Sequence, residues 1–164
     1  MMEIDIRSNG QLALHGDSFT YIDAAIISIH SSFEMNREMM TKRIISALSS
    51  HPKVRIFGHP TGRLINKRES IQADWYAIFE YCKKHDIALE INSSAQRLDL
   101  PDNLIFEARK MGLKFIIGTD SHHVDQMRQM EYGVATARRG WCEKSDILNT
   151  LPVDQFEKWL RRSH

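Results

Sequence analysis

The sequence has few of the features that mark secreted or membrane proteins. Its two cysteines, Cys82 and Cys142, lie 60 residues apart and form no CxxC pair, which argues against both a disulfide scaffold and a cysteine zinc site. The first residues show neither the basic nor the apolar region of a signal peptide, and no apolar run approaches membrane-spanning length. We therefore expect a cytoplasmic protein without a membrane partner.

Strong net charge and several common catalytic motifs are also missing. Lys and Arg total 22 against 21 Asp and Glu, and this net charge of +1 gives no whole-chain signature of a nucleic-acid binder. The sequence contains no serine nucleophile elbow, no glycine-rich phosphate loop and no GxGxxG. Covalent serine hydrolysis and nucleotide-dependent transfer are therefore disfavoured, and metal-assisted hydrolysis remains.

The apolar pattern predicts an α/β fold. Short buried-strand runs occur at 24–29, 54–57, 87–91 and 114–117, with a fifth candidate strand at 3–6. Apolar residues at helical spacing predict helices at 36–49, 70–85, 102–112 and 125–139, and a closing amphipathic helix is predicted over 152–162. Strand starts about 30 residues apart match one β-α unit, so the right-handed crossover rule predicts a parallel sheet with outer helices.

Metal-competent side chains follow the predicted strands. His30 follows the run at 24–29, His59 the run at 54–57, and Asp120 and His122 the run at 114–117, while Glu3 lies on the first candidate strand. The carboxyl ends of parallel strands gather around one crevice, so these side chains are predicted to converge. Two carboxylates and three imidazoles suit Zn²⁺, Mn²⁺ or Fe²⁺.

Three arginines are candidates for binding phosphate. Arg63 lies in the tight GHPTGR loop and could clamp a phosphate, although a solvated loop arginine is the simpler alternative. Arg138 and Arg139 precede Trp141 in a second basic patch, which suits a nucleic-acid backbone or ordinary helix-end capping. The remaining histidines are predicted to lie on the surface: His15, His51, His85, His123 and His164.

Four strings occur in order along the chain: SIHS at 28–31, GHPTGR at 58–63, LEIN at 89–92 and GTDSH at 118–122. Their order and spacing resemble the motifs of the PHP (polymerase and histidinol phosphatase) superfamily. Further strings are most similar to the PHP domain of bacterial family X DNA polymerases: EIDI at 3–6, RLDL at 97–100, YGVA at 132–135 and ARRGW at 137–141. The resemblance spans nearly all of the chain.

The resemblance implies a distorted (β/α)7 barrel that hydrolyses phosphoesters with up to three divalent metal ions. It implies that Glu3 bridges two metals, that His30 and His59 bind the second metal, and that Asp120 and His122 bind the other two. In family X polymerases this domain is associated with 3′-5′ exonuclease and DNA end-processing activity, so DNA is the expected substrate.

The sequence departs from the family pattern at its start, where the expected His-x-His motif is missing. We therefore expect residues 1–164 to form a single PHP-like domain, truncated at its N-terminus and holding fewer metals. Open edges of such a partial barrel predict a homo-oligomer or contact with a missing N-terminal segment of the same protein. Two other functions stay open: a histidinol-phosphate-type phosphatase acting on a small monoester, and a non-catalytic fragment with an incomplete metal site.

Overall fold

Five parallel strands form one sheet, and their spatial order is the same as their order in the chain. The structure is a computed structural model that describes residues 1–162. The strands are β1 (Met2–Asp5), β2 (Ala25–Ser28), β3 (Val54–Phe57), β4 (Ala88–Asn92) and β5 (Phe115–Gly118). The sequential, all-parallel order confirms the predicted α/β fold and is consistent with a partial barrel.

Helices connect and cover the strands. The α-helices are α1 (Arg37–Leu48), α2 (Trp75–Lys84), α3 (Asp102–Lys110), α4 (Met130–Arg139) and α5 (Val153–Leu160). Short 3-10 helices span Gly16–Tyr21, Val124–Gln129, Lys144–Asp146 and Leu148–Thr150. None of the helices within residues 1–162 is long and apolar enough to cross a membrane.

Both faces of the sheet are largely buried from β2 to β5, which explains the uninterrupted apolar runs in the sequence. One face carries Phe57, Leu89 and Phe115 in the main core, together with buried residues of α1 to α4. The other face carries Ile56, Ala88 and Ile116 against Trp159 of α5. The predicted closing helix, α5, therefore completes a second, smaller core. Burial of each large apolar side chain there contributes about 1.5–3 kcal/mol to the stability of the fold.

Two predicted helices have different boundaries in the structure. Residues 70–74 are not helical, because the Asp74 carboxylate caps α2 by accepting a hydrogen bond from Ala77 N at 3.2 Å. The predicted helix at 125–139 divides at Met130 into a 3-10 segment and α4. Gly112, the predicted stop after α3, has the positive φ of +86° expected of a residue just beyond a helix.

The edges of the sheet are less open than the sequence predicts. At β5, the Asn149 side chain accepts from Ile117 N and donates to Ile117 O, both at 2.8 Å. At β1, Ala13 N donates to Asp5 O at 2.9 Å. Other segments of the chain thus form some of the hydrogen bonds that a neighbouring strand would form at each edge.

The histidines predicted to be at the surface are largely accessible. His15 and His123 are exposed, and His51 and His85 are half-buried. His164 lies outside the described residues.

Candidate metal centre

Glu3, His30 and His59 form a compact group of potential ligands. One ligand atom from each lies within 4.8 Å of the other two. Glu3 Oε1 is 3.1 Å from His59 Nε2 and 3.6 Å from His30 Nε2. Neighbouring parallel strands bring these residues together, since Glu3 lies on β1 and the two histidines each follow the next strand by two residues. The predicted convergence therefore holds for these three side chains.

The cluster is open on one side and closed on the other. The Glu3 and His30 side chains are 42 % and 44 % exposed, whereas the His59 side chain is only 3 % exposed. A molecule in solution can therefore reach the carboxylate and His30 directly. His59 forms the buried wall of the site.

Asp5 orients His30 and was not predicted as a site residue. Its Oδ1 lies 3.3 Å from His30 Nδ1 and also accepts a hydrogen bond from His30 N at 3.2 Å. The contact at Nδ1 leaves His30 Nε2 facing Glu3. Carboxylates that hold the second ring nitrogen of a histidine are a common feature of metal sites.

Glu90 supports His59 from behind the cluster. The side chain is buried on β4, and its Oε2 accepts a hydrogen bond from His59 N at 2.6 Å. Gly118 on the neighbouring strand β5 leaves the space, because a Cβ atom there would collide with Glu90 Oε1. Glu90 is part of the LEIN string, but its role follows only from its contacts with Gly118 and His59 N.

The surroundings shift the pKa values of the two carboxyl groups, Glu3 and Glu90, in opposite directions. A hydrogen bond with His59 lowers the pKa of Glu3 to about 2, so Glu3 is ionised at neutral pH. Burial lowers the pKa of His59, but the hydrogen bond with Glu3 and the charges of Glu90 and Glu3 together outweigh it, so the pKa is raised. Burial raises the pKa of Glu90 to about 7. The cluster thus holds one firmly charged carboxylate beside two imidazoles.

This donor set fits one divalent cation. Two donors on a tetrahedral zinc ion lie about 3.3 Å apart, because each is about 2.0–2.1 Å from the metal. The observed separations of 3.1 and 3.6 Å between Glu3 and the two histidines bracket that value. A carboxylate with two imidazoles is a ligand set used by zinc and by manganese or iron.

Asp120 and His122 lie apart from this group. Among residues 1–162, the ligand group includes neither of them. Asp120 Oδ2 is 3.4 Å from both Arg97 Nε and Asn92 Nδ2. His122 is exposed, and its Nδ1 lies 2.9 Å from Asp120 O. Their role as metal ligands stays a prediction.

A series of polar contacts nevertheless connects Asp120 to the cluster. Asn92 Nδ2 lies 3.4 Å from both Glu90 Oε2 and Asp120 Oδ2, and Glu90 in turn accepts from His59 N. Asp120 has a φ of +51°, an unusual backbone conformation for a residue other than glycine. A largely buried network of polar contacts therefore joins the carboxyl ends of β3, β4 and β5.

The three predicted phosphate-binding arginines have different surroundings. Arg63 donates from Nε to Arg97 O at 2.7 Å and from Nη2 to Leu98 O. Two of its guanidinium nitrogens are therefore hydrogen-bonded to backbone carbonyl groups. Arg139 pairs with Asp102 at 2.7 Å in the first turn of α3. Arg138 is exposed at the end of α4. None of these observations tests their proposed contact with phosphate.

Arg97 is a cation that the sequence reasoning did not assign. Its side chain is 16 % exposed, its Nε faces Asp120, and its Nη1 is buried with no hydrogen-bond partner among the described residues. Nearby, the fully buried Asp99 accepts from Thr61 N at 3.0 Å and ties the loop after β4 to the loop after β3. Both residues occur in the RLDL string, which carried the family resemblance but suggested no role.

Comparisons with known proteins are consistent with the motifs. The chain is 36 % identical over 162 residues to a DNA polymerase/3'-5' exonuclease PolX of Bacillus subtilis. The matched region covers 99 % of this chain and 28 % of that protein. It is 26 % identical over 170 residues to probable phosphatases of Thermoanaerobacter sp. and of Thermoanaerobacter pseudethanolicus, covering 98 % of this chain and 66 % of each relative. The chain matches no protein-family profile.

Proposed function

Since this chain is a relative of the PHP-containing polymerase/exonuclease PolX, as its motifs predicted, we propose that it is a metal-dependent phosphoesterase domain acting on DNA 3′ ends. The observation that carries the proposal is the group formed by Glu3 on β1 and by His30 and His59, which follow the two neighbouring strands. The chain spans less than a third of that relative, so its substrate and activity are proposed here for this piece alone.

Each residue of the cluster has a distinct task in this proposal. Glu3, His30 and His59 hold the divalent ion, Asp5 fixes the ring of His30, and Glu90 fixes the backbone at His59. A bound Zn²⁺, Mn²⁺ or Fe²⁺ supplies Lewis acidity at the phosphoryl group and acidifies water to give a nucleophile at neutral pH. The low pKa of Glu3 keeps its carboxylate available as a ligand at that pH.

Arg97 is the group we expect to neutralise the phosphate. Its side chain is partly exposed, at 16 %, beside Asp120, and a phosphate oxygen is a strong acceptor for a guanidinium N–H. Asp120 and His122 extend the polar surface beside it and are proposed to bind further metal ions. Arg63, Arg138 and Arg139 remain proposed contacts for the rest of a DNA strand.

The near-neutral charge limits how the chain can bind DNA. Its net charge of +1 supplies little long-range attraction for a polyanion. Binding would then depend on local contacts near the cluster. A DNA-processing role also fits a cytoplasmic location, which we propose on the same grounds.

A small-molecule phosphatase is the second candidate. The similarity to probable phosphatases, which extends over 66 % of their length, favours it. The separation of Asp120 and His122 from the ligand group favours a third possibility, a non-catalytic fragment. The first two functions predict different substrates, and the third predicts no turnover.

The test compares two substrates in the presence of Mn²⁺: a 3′-recessed DNA duplex and histidinol phosphate. We expect shortening of the DNA strand, inhibition by a chelator, and loss of activity in His59→Ala. Turnover of histidinol phosphate alone would support the phosphatase. If neither substrate reacts, the non-catalytic fragment is the remaining explanation.

A further inference from the structure

A buried arginine on α1 contacts the segments that carry the candidate ligands. Arg43 is only 3 % exposed, and its guanidinium donates to four backbone carbonyl oxygens. We propose that Arg43 is a positioning residue for the metal centre, because it fixes the chain after β1 relative to the chain after β2. The inference rests on the proposed function.

The acceptors of Arg43 come from two segments that are distant in sequence. Arg43 Nε donates to Arg7 O at 2.9 Å, and Nη2 donates to Ile6 O. Nη1 donates to Ser31 O at 3.0 Å and to Ser32 O at 3.1 Å. The first segment directly follows the strand that carries Glu3, and the second directly follows His30.

The second segment has a backbone conformation that requires support. Ser32 has a φ of +54°, which costs energy for a residue with a Cβ atom and persists only where neighbouring groups hold it. The carbonyl groups of Ser31 and Ser32 are held by the same Arg43 nitrogen. Loss of that nitrogen would allow the segment to relax and would displace His30 from Glu3.

Only arginine can make this set of contacts. Its guanidinium presents five N–H donors in a rigid plane, whereas a lysine ammonium is a single point with three donors. Arg43→Lys keeps the charge but cannot reach carbonyl groups on both segments in the same geometry. Arg43→Gln removes the charge and keeps an amide donor.

The test uses Co²⁺ as a probe metal and requires no catalysis. The protein is freed of metal with a chelator and titrated with Co²⁺, and the dissociation constant and the visible absorption of bound Co²⁺ are recorded. We expect both variants to bind Co²⁺ roughly 10- to 100-fold more weakly, as is typical when partners of metal ligands are lost. We also expect a changed absorption spectrum, because His30 is displaced.

The matched control is Arg55→Lys. Arg55 is also fully buried, and its described contacts are with Asp86 and with Trp159 on α5. We expect this variant to be less stable to heat but to keep the wild-type affinity and spectrum. Circular dichroism before each titration establishes that the variants are folded.

The outcomes separate this inference from the proposed function. If the wild-type protein binds no Co²⁺, the metal centre and the role of Arg43 both fail. If the wild type binds Co²⁺ and a folded Arg43 variant binds it equally well with the same spectrum, only the role of Arg43 fails. An equal loss in Arg55→Lys, or Arg43 variants that do not fold, would assign Arg43 to general stability and overturn the proposal.

Discussion

Glu90 is a buried carboxylate on β4 that packs against Gly118 of the neighbouring strand β5. The carboxylate supports His59 through a short hydrogen bond to the backbone. A charged group in such a position is expensive to bury unless hydrogen bonds satisfy it. Gly118 is therefore needed for space beside Glu90 and has a direct effect on the site.

The substitution Gly118→Ala tests this arrangement. The added Cβ atom would collide with Glu90 Oε1, so we expect a loss of about 1–3 kcal/mol in the free energy of unfolding. Gly16→Ala is the control, since no atom lies within 4 Å of its added Cβ and its effect should stay within about 0.5 kcal/mol. Urea denaturation measures both. Equal stabilities for the two variants would contradict the crowding around Glu90.

Arg97→Gln tests the proposed phosphate contact. Loss of a charge-assisted hydrogen bond costs about 1.5–3 kcal/mol, so we expect weaker substrate binding by a factor of roughly 10 to 100. Arg37→Gln is the control, because Arg37 is exposed and pairs with Asp74 at the start of α2. Steady-state kinetics on the preferred substrate gives KM for each variant. An unchanged KM in Arg97→Gln would remove this residue from the substrate site.

At the scale of elements, Asn149 acts as a substitute strand partner for β5. Its carboxamide makes two hydrogen bonds with the Ile117 backbone, as a neighbouring strand would. We expect Asn149→Ala to lower the free energy of unfolding by about 1–3 kcal/mol and to increase aggregation, because it leaves these groups unpaired at an edge. Asn103→Ala, at an exposed position on α3, is the control. Urea denaturation and light scattering would report the two effects.

Asp146 links the 3-10 segment Lys144–Asp146 to α3. Burial tends to raise the pKa of Asp146, but hydrogen bonds from Glu143 N and Arg109 outweigh it, so the pKa is lowered. A carboxyl group whose pKa is lowered by folding stabilises the fold above its unfolded pKa of about 3.9 and loses this effect as the pH falls below that value.

We therefore predict a pH-dependent difference between the wild type and Asp146→Asn. The wild type should be more stable by about 1 kcal/mol near pH 6, and the difference should shrink towards pH 3 as Asp146 is protonated. Comparing the two proteins at each pH cancels the titration of the other carboxyl groups. A difference that stays constant from pH 6 to pH 3 would contradict the role of the charge.

At the scale of the whole molecule, periodicity was sufficient to predict the sheet. Four of the strands, β2 to β5, lie at the apolar runs, because both faces of a parallel sheet are buried and leave a strong apolar signal, whereas β1 matches the alternating candidate at 3–6. The start of α2 was predicted too early, since the cap at Asp74 overrides the apolar residues before it. Closure of the β5 edge by Asn149 depends on a tertiary contact that no local pattern encodes.

The ligand cluster was predictable for a different reason. His30 and His59 directly follow buried strands, and the topology of a parallel sheet then brings them to the same edge. The supporting residues Asp5, Glu90 and Arg43 were missed because their roles follow from distances between side chains and distant backbone groups. One sequence feature could have indicated the role of Glu90: it is a charged residue in the middle of the buried run at 88–92.

The most direct test of the metal centre is elemental analysis of the protein after purification without chelator and extensive dialysis. We predict about one or more Zn, Mn or Fe ions per chain, lost in His59→Ala and retained in His51→Ala, whose histidine lies outside the ligand group. A folded wild-type protein without bound metal, or equal metal content in both variants, would contradict a metal centre formed by Glu3, His30 and His59.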